Sequence, residues 1–401
     1  MLFTKPIALQ VFAGICLGFL PVLPVQANVS LEEINSIAKQ TTVLIAPSLT
    51  QELLDDLEEN RNNPNRPDDS LKNRRGVWNP GSGVLIAKNG NTYYVLTVTH
   101  NFKQRDLEAN IAYGIRTSDR KIHLVQQIND RRNCPLNKSP STQQTIMRFG
   151  CYSSKLASQN NNPIDGIDLA IVSFESTNDY PIATMGNTEE IEVGETVYVS
   201  GWPDPEKEKD PISQLCWTRA ERRVRRLAWA SLASKINPQI SQNGYSIFYL
   251  DQTRPGMSGG PVFDQNGRVI GVHGRGSGQK SNRDCSTVAP TNSHLSNLSA
   301  TDSPDMLHQN YSSAQSFSFF QSLADRIGMN IPFNRQSLSL EMIQSALTPI
   351  PKEKFTSQGI YDDENDAIDN IYDSFTDLET RLRDRPTSGC QWLLLGQYYC
   401  D

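Results

Sequence analysis

Gly256-Met257-Ser258-Gly259-Gly260-Pro261-Val262 constrains this chain more than any other stretch. Three glycines within five residues are what a tight bend requires, because glycine alone accepts strained backbone without steric cost. Such a bend exposes Ser258 and aims backbone N–H groups at the same spot, which turns a poor nucleophile into a useful one. The residues after the bend matter as much. Val262-Phe263-Asp264-Gln265-Asn266-Gly267-Arg268-Val269-Ile270-Gly271-Val272-His273 reads as two β runs around an Asn-Gly turn. The stretch also fits Gly-x-Ser-x-Gly, but the nucleophile elbow of an α/β-hydrolase needs a helix after the serine. His273, His294 and His308 come after Ser258, so chain order leaves an esterase of that type open, and local structure argues against it.

A serine needs a base, and the base needs a group to orient it. Upstream, the strand-like run Tyr93-Tyr94-Val95-Leu96-Thr97-Val98-Thr99-His100 ends on a histidine. Between the two lies Ile167-Asp168-Leu169-Ala170-Ile171-Val172, an acid opening an apolar strand. His, Asp, Ser is one of the chain orders of the acyl-transfer triad. In this reading Ser258 attacks an acyl carbon, His100 carries its proton, and Asp168 fixes the imidazole tautomer. The N–H groups of Gly256 and Ser258 form the oxyanion hole. Asp165 competes for the acid's role; Asp168 is preferred because it abuts the strand Leu169 to Phe174. Taken singly, each residue has an ordinary structural explanation as a turn, a strand end or a cap.

These three motifs together resemble the trypsin-like, chymotrypsin-fold serine peptidases of bacterial type, which include glutamyl endopeptidases. The resemblance spans about residues 40 to 330. It implies a mainly β fold of two antiparallel six-stranded barrels with the site in the cleft between them. Met257 and Gln252 stand where animal trypsins carry aspartates, so activation through a freshly cut N-terminus and basic specificity do not transfer. Thr253, five residues before the serine, and His273, fifteen after it, match the glutamyl branch. A hydroxyl and an imidazole suit a substrate carboxylate, which points to cleavage after Glu; a small or uncommitted pocket is the other reading. A peptide-binding protein that has kept the fold and lost turnover is the alternative function.

The remaining features set the frame. Residues 1–27 read as a secretory signal cut after Ala27: Lys5, an apolar run from Ile7 to Leu20, then Val25-Gln26-Ala27. Later stretches are too short or polar to span a bilayer, so a secreted or periplasmic protein is expected. A net charge of −6 gives no hint of nucleic-acid binding. Six cysteines lie beyond the leader, and proximity favours Cys134–Cys151 and Cys390–Cys400, leaving Cys216 with Cys285. Their spacing does not suit zinc; no metal or organic cofactor is expected, and the partner is a protein or peptide substrate. Residues 28–330 are read as the protease domain and 331–401 as an acidic helical extension able to dock a partner. In that extension Asp362 to Leu382 reads as an acidic helix, because its apolar residues from Ile368 to Leu382 recur at helical spacing. Trp392 to Tyr399 fits the opening of a tetratricopeptide repeat but reads better as a packed terminal segment. The arginines from Arg219 to Arg226 read as a solvated strand face, or as a partner for the acidic run Asp362 to Glu379.

Overall fold

A computed structural model describes residues 29–61, 80–127, 145–153, 162–204, 223–249, 253–276 and 311–334. Of 57–61, 207–209, 216–218, 354–355, 360–363, 390–393 and 397–400 it describes the backbone alone. The leader, Cys134, Gln252 and Cys285 lie outside the described residues.

Helix α1 (Leu31–Thr41) opens with a capping box: Ser30 Oγ accepts from Glu33 N, and Glu33 reaches back to Ser30 N. Ile34, Ile37 and Ala38, spaced three and four apart, bury one face of it. The chain then enters β1 (Thr42–Pro47) and helix α2 (Gln51–Arg61). Strands β2 (Gly81–Asn89) and β3 (Thr92–Thr97) form a hairpin around Gly90–Asn91, where Gly90 takes φ +61°. Helix α3 (Gln104–Glu108) precedes β4 (Tyr113–Arg116), β5 (Ile122–Val125), β6 (Ile146–Tyr152) and β7 (Ile164–Glu175). These build an antiparallel sheet in the order β5-β4-β1-β2-β3-β7-β6.

The second half contributes β8 (Thr196–Gly201), β9 (Lys207–Lys209), β10 (Cys216–Thr218), β11 (Arg225–Lys235), β12 (Tyr245–Tyr249), β13 (Pro261–Phe263), β14 (Val269–Arg275) and β15 (Ser312–Ser316). Strands β12-β15-β14-β13-β8-β11 are neighbours in that order, and β11 pairs back onto β12, so six strands close into a barrel. The first sheet has seven strands and stays open, its edge strands β5 and β6 not hydrogen-bonded to each other. The fold is therefore mainly β, with one closed barrel and one half-barrel.

The apolar pattern explains how the halves join. In β7, Ala170, Val172 and Phe174 fill the interior of the first sheet, while Leu169 and Ile171 face the other way. The second set packs with Val84, Ile86 and Leu96, with Leu227, Phe263 and Val272 of the barrel, and with Ile34 of α1. Strands buried on both faces read as near-continuous apolar runs, and this shared core fixes the two sheets against each other. Helix α4 (Phe317–Arg326), capped by Ser316, adds Phe317 and Phe320 to it. Ala314 and Gln315 belong to β15, because pairing with β12 and β14 closes the barrel there.

Two further sequence expectations change. Arg223 and Arg225 are buried rather than solvated. Arg225 donates to Ser200 Oγ and Asn35 Oδ1, and Arg223 to the Trp202 carbonyl and Asp204; buried guanidinium groups persist when their donors are taken up. Asp362 and Asp363 do not begin a helix. They lie in β17 (Ile360–Asp363), which pairs with β16 (Lys354–Phe355) and lies antiparallel to β11, with Asp363 opposite Arg225 and Asp362 opposite Arg226. The rest of the expected helix, 364–382, lies outside the described residues. Strands β18 (Cys390–Leu393) and β19 (Gln397–Cys400) form a hairpin, so the repeat helix already set aside is absent there, and Cys390 stands opposite Cys400. Cys151 is disulfide-bonded.

Candidate active site

The site lies where the half-barrel meets the closed barrel. Strand β3 runs out at Thr97, and a single 3-10 turn, Thr99–Asn101, turns His100 away from the sheet. Thr99 anchors that turn by donating from Oγ1 to the Leu169 carbonyl at 2.6 Å. The tie is to the strand that carries Asp168. His100 Nδ1 lies 2.8 Å from Asp168 Oδ2, and the His100 amide donates to Oδ1 at 3.0 Å. Asp168 is fully buried, whereas the His100 side chain keeps 22 % of its surface in solvent.

Burial by itself pushes the Asp168 carboxyl up. The charge of His100 and hydrogen bonds from His100 and Tyr245 outweigh it and hold the group below the usual carboxylate range. Tyr245, which opens β12, donates its hydroxyl to Oδ2 at 2.5 Å, and Gln315 Nε2 donates to the Asp168 carbonyl at 3.0 Å. The acid is thus held by both halves of the molecule. Asp165, the competing acid, stands opposite Cys151 in the β6–β7 ladder.

Ser258 sits in a bend that needs its glycines. Gly256 and Gly259 take φ +97° and +90°. A side chain at Gly259 would run into the Ser82 carbonyl and Thr97 Oγ1, and one at Gly260 into the Ser200 carbonyl. Strand β14 zips the bend in place: Gly259 N donates to the His273 carbonyl at 2.7 Å, and His273 N to the Gly260 carbonyl at 2.9 Å. Two residues of the half-barrel clamp it from the other side. Ser82 N and Asn101 Nδ2 both donate to the Ser258 carbonyl, at 2.7 and 3.0 Å. Asn101 is next to His100 in the chain, so this clamp ties the turn that carries His100 to the Ser258 bend. The Ser258 hydroxyl donates to the Gly274 carbonyl at 3.4 Å and makes no hydrogen bond to His100.

The Gly256 carbonyl is turned away, accepting from Ser82 Oγ at 2.9 Å, and Asp204 N donates to the Pro255 carbonyl at 2.6 Å. Among the described residues, neither the Gly256 nor the Ser258 N–H has an acceptor. Arg223 backs the loop, with Nη1 3.0 Å from where a Cβ on Gly256 would sit, and pairs with Asp204 at 2.6 Å.

Of the two residues that the sequence offered for specificity, His273 is buried on β14, with Nδ1 2.6 Å from the Tyr249 hydroxyl. Burial, and secondarily the charge of His100, lowers its pKa to about 3, so the ring is neutral near pH 7. Thr253 is also buried, its hydroxyl 3.7 Å from where a Cβ on Gly276 would lie. Ser82, Asn101, Tyr245 and Gln315 have no place in the sequence reading. Gly81-Ser82-Gly83 at the head of a strand is the one local signal among them; the others sit in ordinary surroundings. Among the described residues, no cluster of His, Cys, Asp or Glu could hold a metal, and no helix is long and apolar enough to cross a membrane.

Antiparallel sheets, and a strand rather than a helix after Ser258, exclude the α/β-hydrolase alternative. No match was found among curated proteins. Among solved structures the chain is similar to the HtrA-type protease AlgW with a tripeptide, at 14 % identity over 75 % of this chain and 64 % of that one, with a TM-score of 0.38. It is likewise similar to a substituted form of that protease with a decapeptide, at 16 % identity over 74 % and 67 %, with a TM-score of 0.36. The chain spans about two thirds of the length of these structures. The family model of the trypsin-like peptidase domain matches residues 81–272, and with the fold it supports a trypsin-like serine peptidase.

Proposed function

We propose that the chain is an exported serine endopeptidase working through His100, Asp168 and Ser258. The observation that carries this is the hydrogen bond of the buried Asp168 carboxylate to His100 Nδ1, in a residue pair clamped beside the Ser258 bend by Asn101. The nucleophile turns about its Cα–Cβ bond from the long contact with Gly274 toward His100 Nε2; such contacts tighten once substrate is bound. Ser258 Oγ then attacks the scissile carbonyl as His100 takes its proton. The N–H groups of Gly256 and Ser258 stabilise the oxyanion, and His100 delivers the proton to the leaving amine. Water resolves the acyl-enzyme by the same relay.

Acidic specificity is assigned to Tyr249, His273 and Thr253. With the Tyr249 hydroxyl donating to Nδ1, the His273 hydrogen resides on Nε2 and can be given to a substrate carboxylate. Cleavage of a peptide library by the purified protein tests this, and cuts without enrichment of Glu or Asp on the acyl side would refute it. Export rests on the leader-like residues 1–27, and N-terminal sequencing of the released protein tests cleavage after Ala27.

Because the Ser258 hydroxyl is bonded to Gly274 rather than His100, an inert peptide binder is the second reading. Casein turnover and fluorophosphonate labelling decide between them. The peptidase loses both on Ser258→Ala, while an inert binder shows neither in the parent chain.

A further inference from the structure

We infer that Tyr245 is a positioning residue for the Asp168–His100 pair, and that Gly274 is glycine because the Tyr245 hydroxyl occupies the space a side chain there would fill. The inference rests on the proposed triad of His100, Asp168 and Ser258.

Three donors converge on the buried carboxylate. The His100 amide takes Oδ1, and His100 Nδ1 and the Tyr245 hydroxyl share Oδ2. Two of them come from the residue being oriented, so only Tyr245 fixes the carboxylate independently of the imidazole. A carboxylate held at one oxygen by a second donor cannot swing about its Cβ–Cγ bond without breaking that bond. Burial and the neighbouring Asp168 charge push the Tyr245 hydroxyl well above its usual pKa, so it stays a neutral donor over the whole working range.

The ring is fixed from three sides. The turn Gln242–Gly244 that delivers it runs through left-handed backbone at Asn243 and Gly244, with φ +56° and +82°. The Asn243 side chain donates to the carbonyls of Ile164 and Gly166, at 3.1 and 2.8 Å, in the strand that carries Asp168. Arg275 lies over the ring face at 4.7 Å and is itself bonded to Gln242 and Asn243. On the remaining side is Gly274. A Cβ there would overlap the hydroxyl and lie 2.6 Å from Cε1 and 2.8 Å from Cζ. Gly274 has no positive φ to account for its identity. Its carbonyl is also the acceptor for Ser258, so ring, glycine and nucleophile are one packed unit.

The test uses Tyr245→Phe, which removes only the donor, and Gly274→Ala, which keeps every polar group and displaces the ring. In the full chain, kcat on labelled casein should fall about ten- to a hundredfold in each, the loss of one hydrogen bond to a charged group, with KM changing less than about twofold. The acid limb of the kcat/KM profile should move to higher pH in Tyr245→Phe, because the carboxylate facing the imidazole is then less satisfied. A second readout needs no turnover: in the Ser258→Ala background, the proton resonance of the His100 Nδ1–H facing Asp168 should shift in both variants. If the parent chain is inactive but that resonance moves, the peptidase reading fails and the positioning role stands. If kcat, pH limb and resonance all match the parent in Tyr245→Phe, the proposal is wrong. Should Tyr245→Phe fail to fold, Gly274→Ala decides by the same resonance, and an unmoved signal overturns the proposal.

Discussion

His273 lies under the Ser258 bend, 2 % exposed and bonded through Nδ1 to Tyr249. Its burial has a consequence for stability that can be worked out. The folded chain keeps the imidazole neutral down to about pH 3, against an ordinary value of 6.5 that the unfolded chain would show. Between those values the unfolded state holds one more proton. This contribution is therefore fully present above about pH 6.5 and is lost as the pH falls toward 3. The loss runs at about 1.4 kcal/mol per pH unit, so about 3 kcal/mol is gone at about pH 4.5. That is a large share of the roughly 5–15 kcal/mol by which a domain is stable. The assay is urea unfolding at about pH 7.5 and about pH 4.5, on the parent chain and on His273→Gln. Gln still offers Tyr249 an acceptor but does not titrate. His123, also lowered by burial, contributes equally to both chains and cancels. Asp168 contributes little in this window, because an unfolded aspartate is already mostly ionised above its usual value of 3.8. The parent should lose about 3 kcal/mol more than the variant on acidification. Equal losses in the two chains would show that the imidazole is solvated or paired in the folded state, and the argument from its burial would fail.

The other expectations are simpler. Asp168→Asn should lower kcat by about 10⁴, since the imidazole is then held in the wrong tautomer; peptide turnover at saturating substrate checks it. Gly259→Ala should destabilise by at least about 2 kcal/mol in thermal unfolding, because φ is +90° and the new methyl meets the Ser82 carbonyl. Asp204→Ala leaves the Arg223 guanidinium buried without its acid. Asp204 is 29 % exposed, so a cost of about 2 kcal/mol is expected in urea unfolding, partly recovered by Asp204→Asn.

Much of the site's skeleton was written locally. Gly256, Gly259 and Gly260 announce a bend because no other residue fits their backbone or their surroundings. The Asn-Gly turns at 89–90 and 266–267 mark the hairpins that carry the flanking strands, since turn chemistry acts over four residues. The run from Tyr93 to His100 and the run after Asp168 show their strands by apolar content alone. Other features could not be read in this way. The burial of Arg223 and Arg225 depends on Asp204, Ser200 and Asn35, the last almost two hundred residues away in sequence. Tyr245 looks like any aromatic opening a strand until β12 sets its hydroxyl against Asp168.

The sequence by itself determined which residues could serve as nucleophile, base and acid, and that β-strands would hold them, because bends, turns and strand periodicity are short-range effects of backbone sterics and side-chain pattern. Only the tertiary structure decided who surrounds those residues: that Asn101 and Ser82 pin the bend, that Tyr245 and Gln315 reach Asp168 from the opposite barrel, and that His273 is neutral. Hydrogen bonding and desolvation in a buried site depend on groups brought together from distant parts of the chain, and no local pattern encodes that convergence.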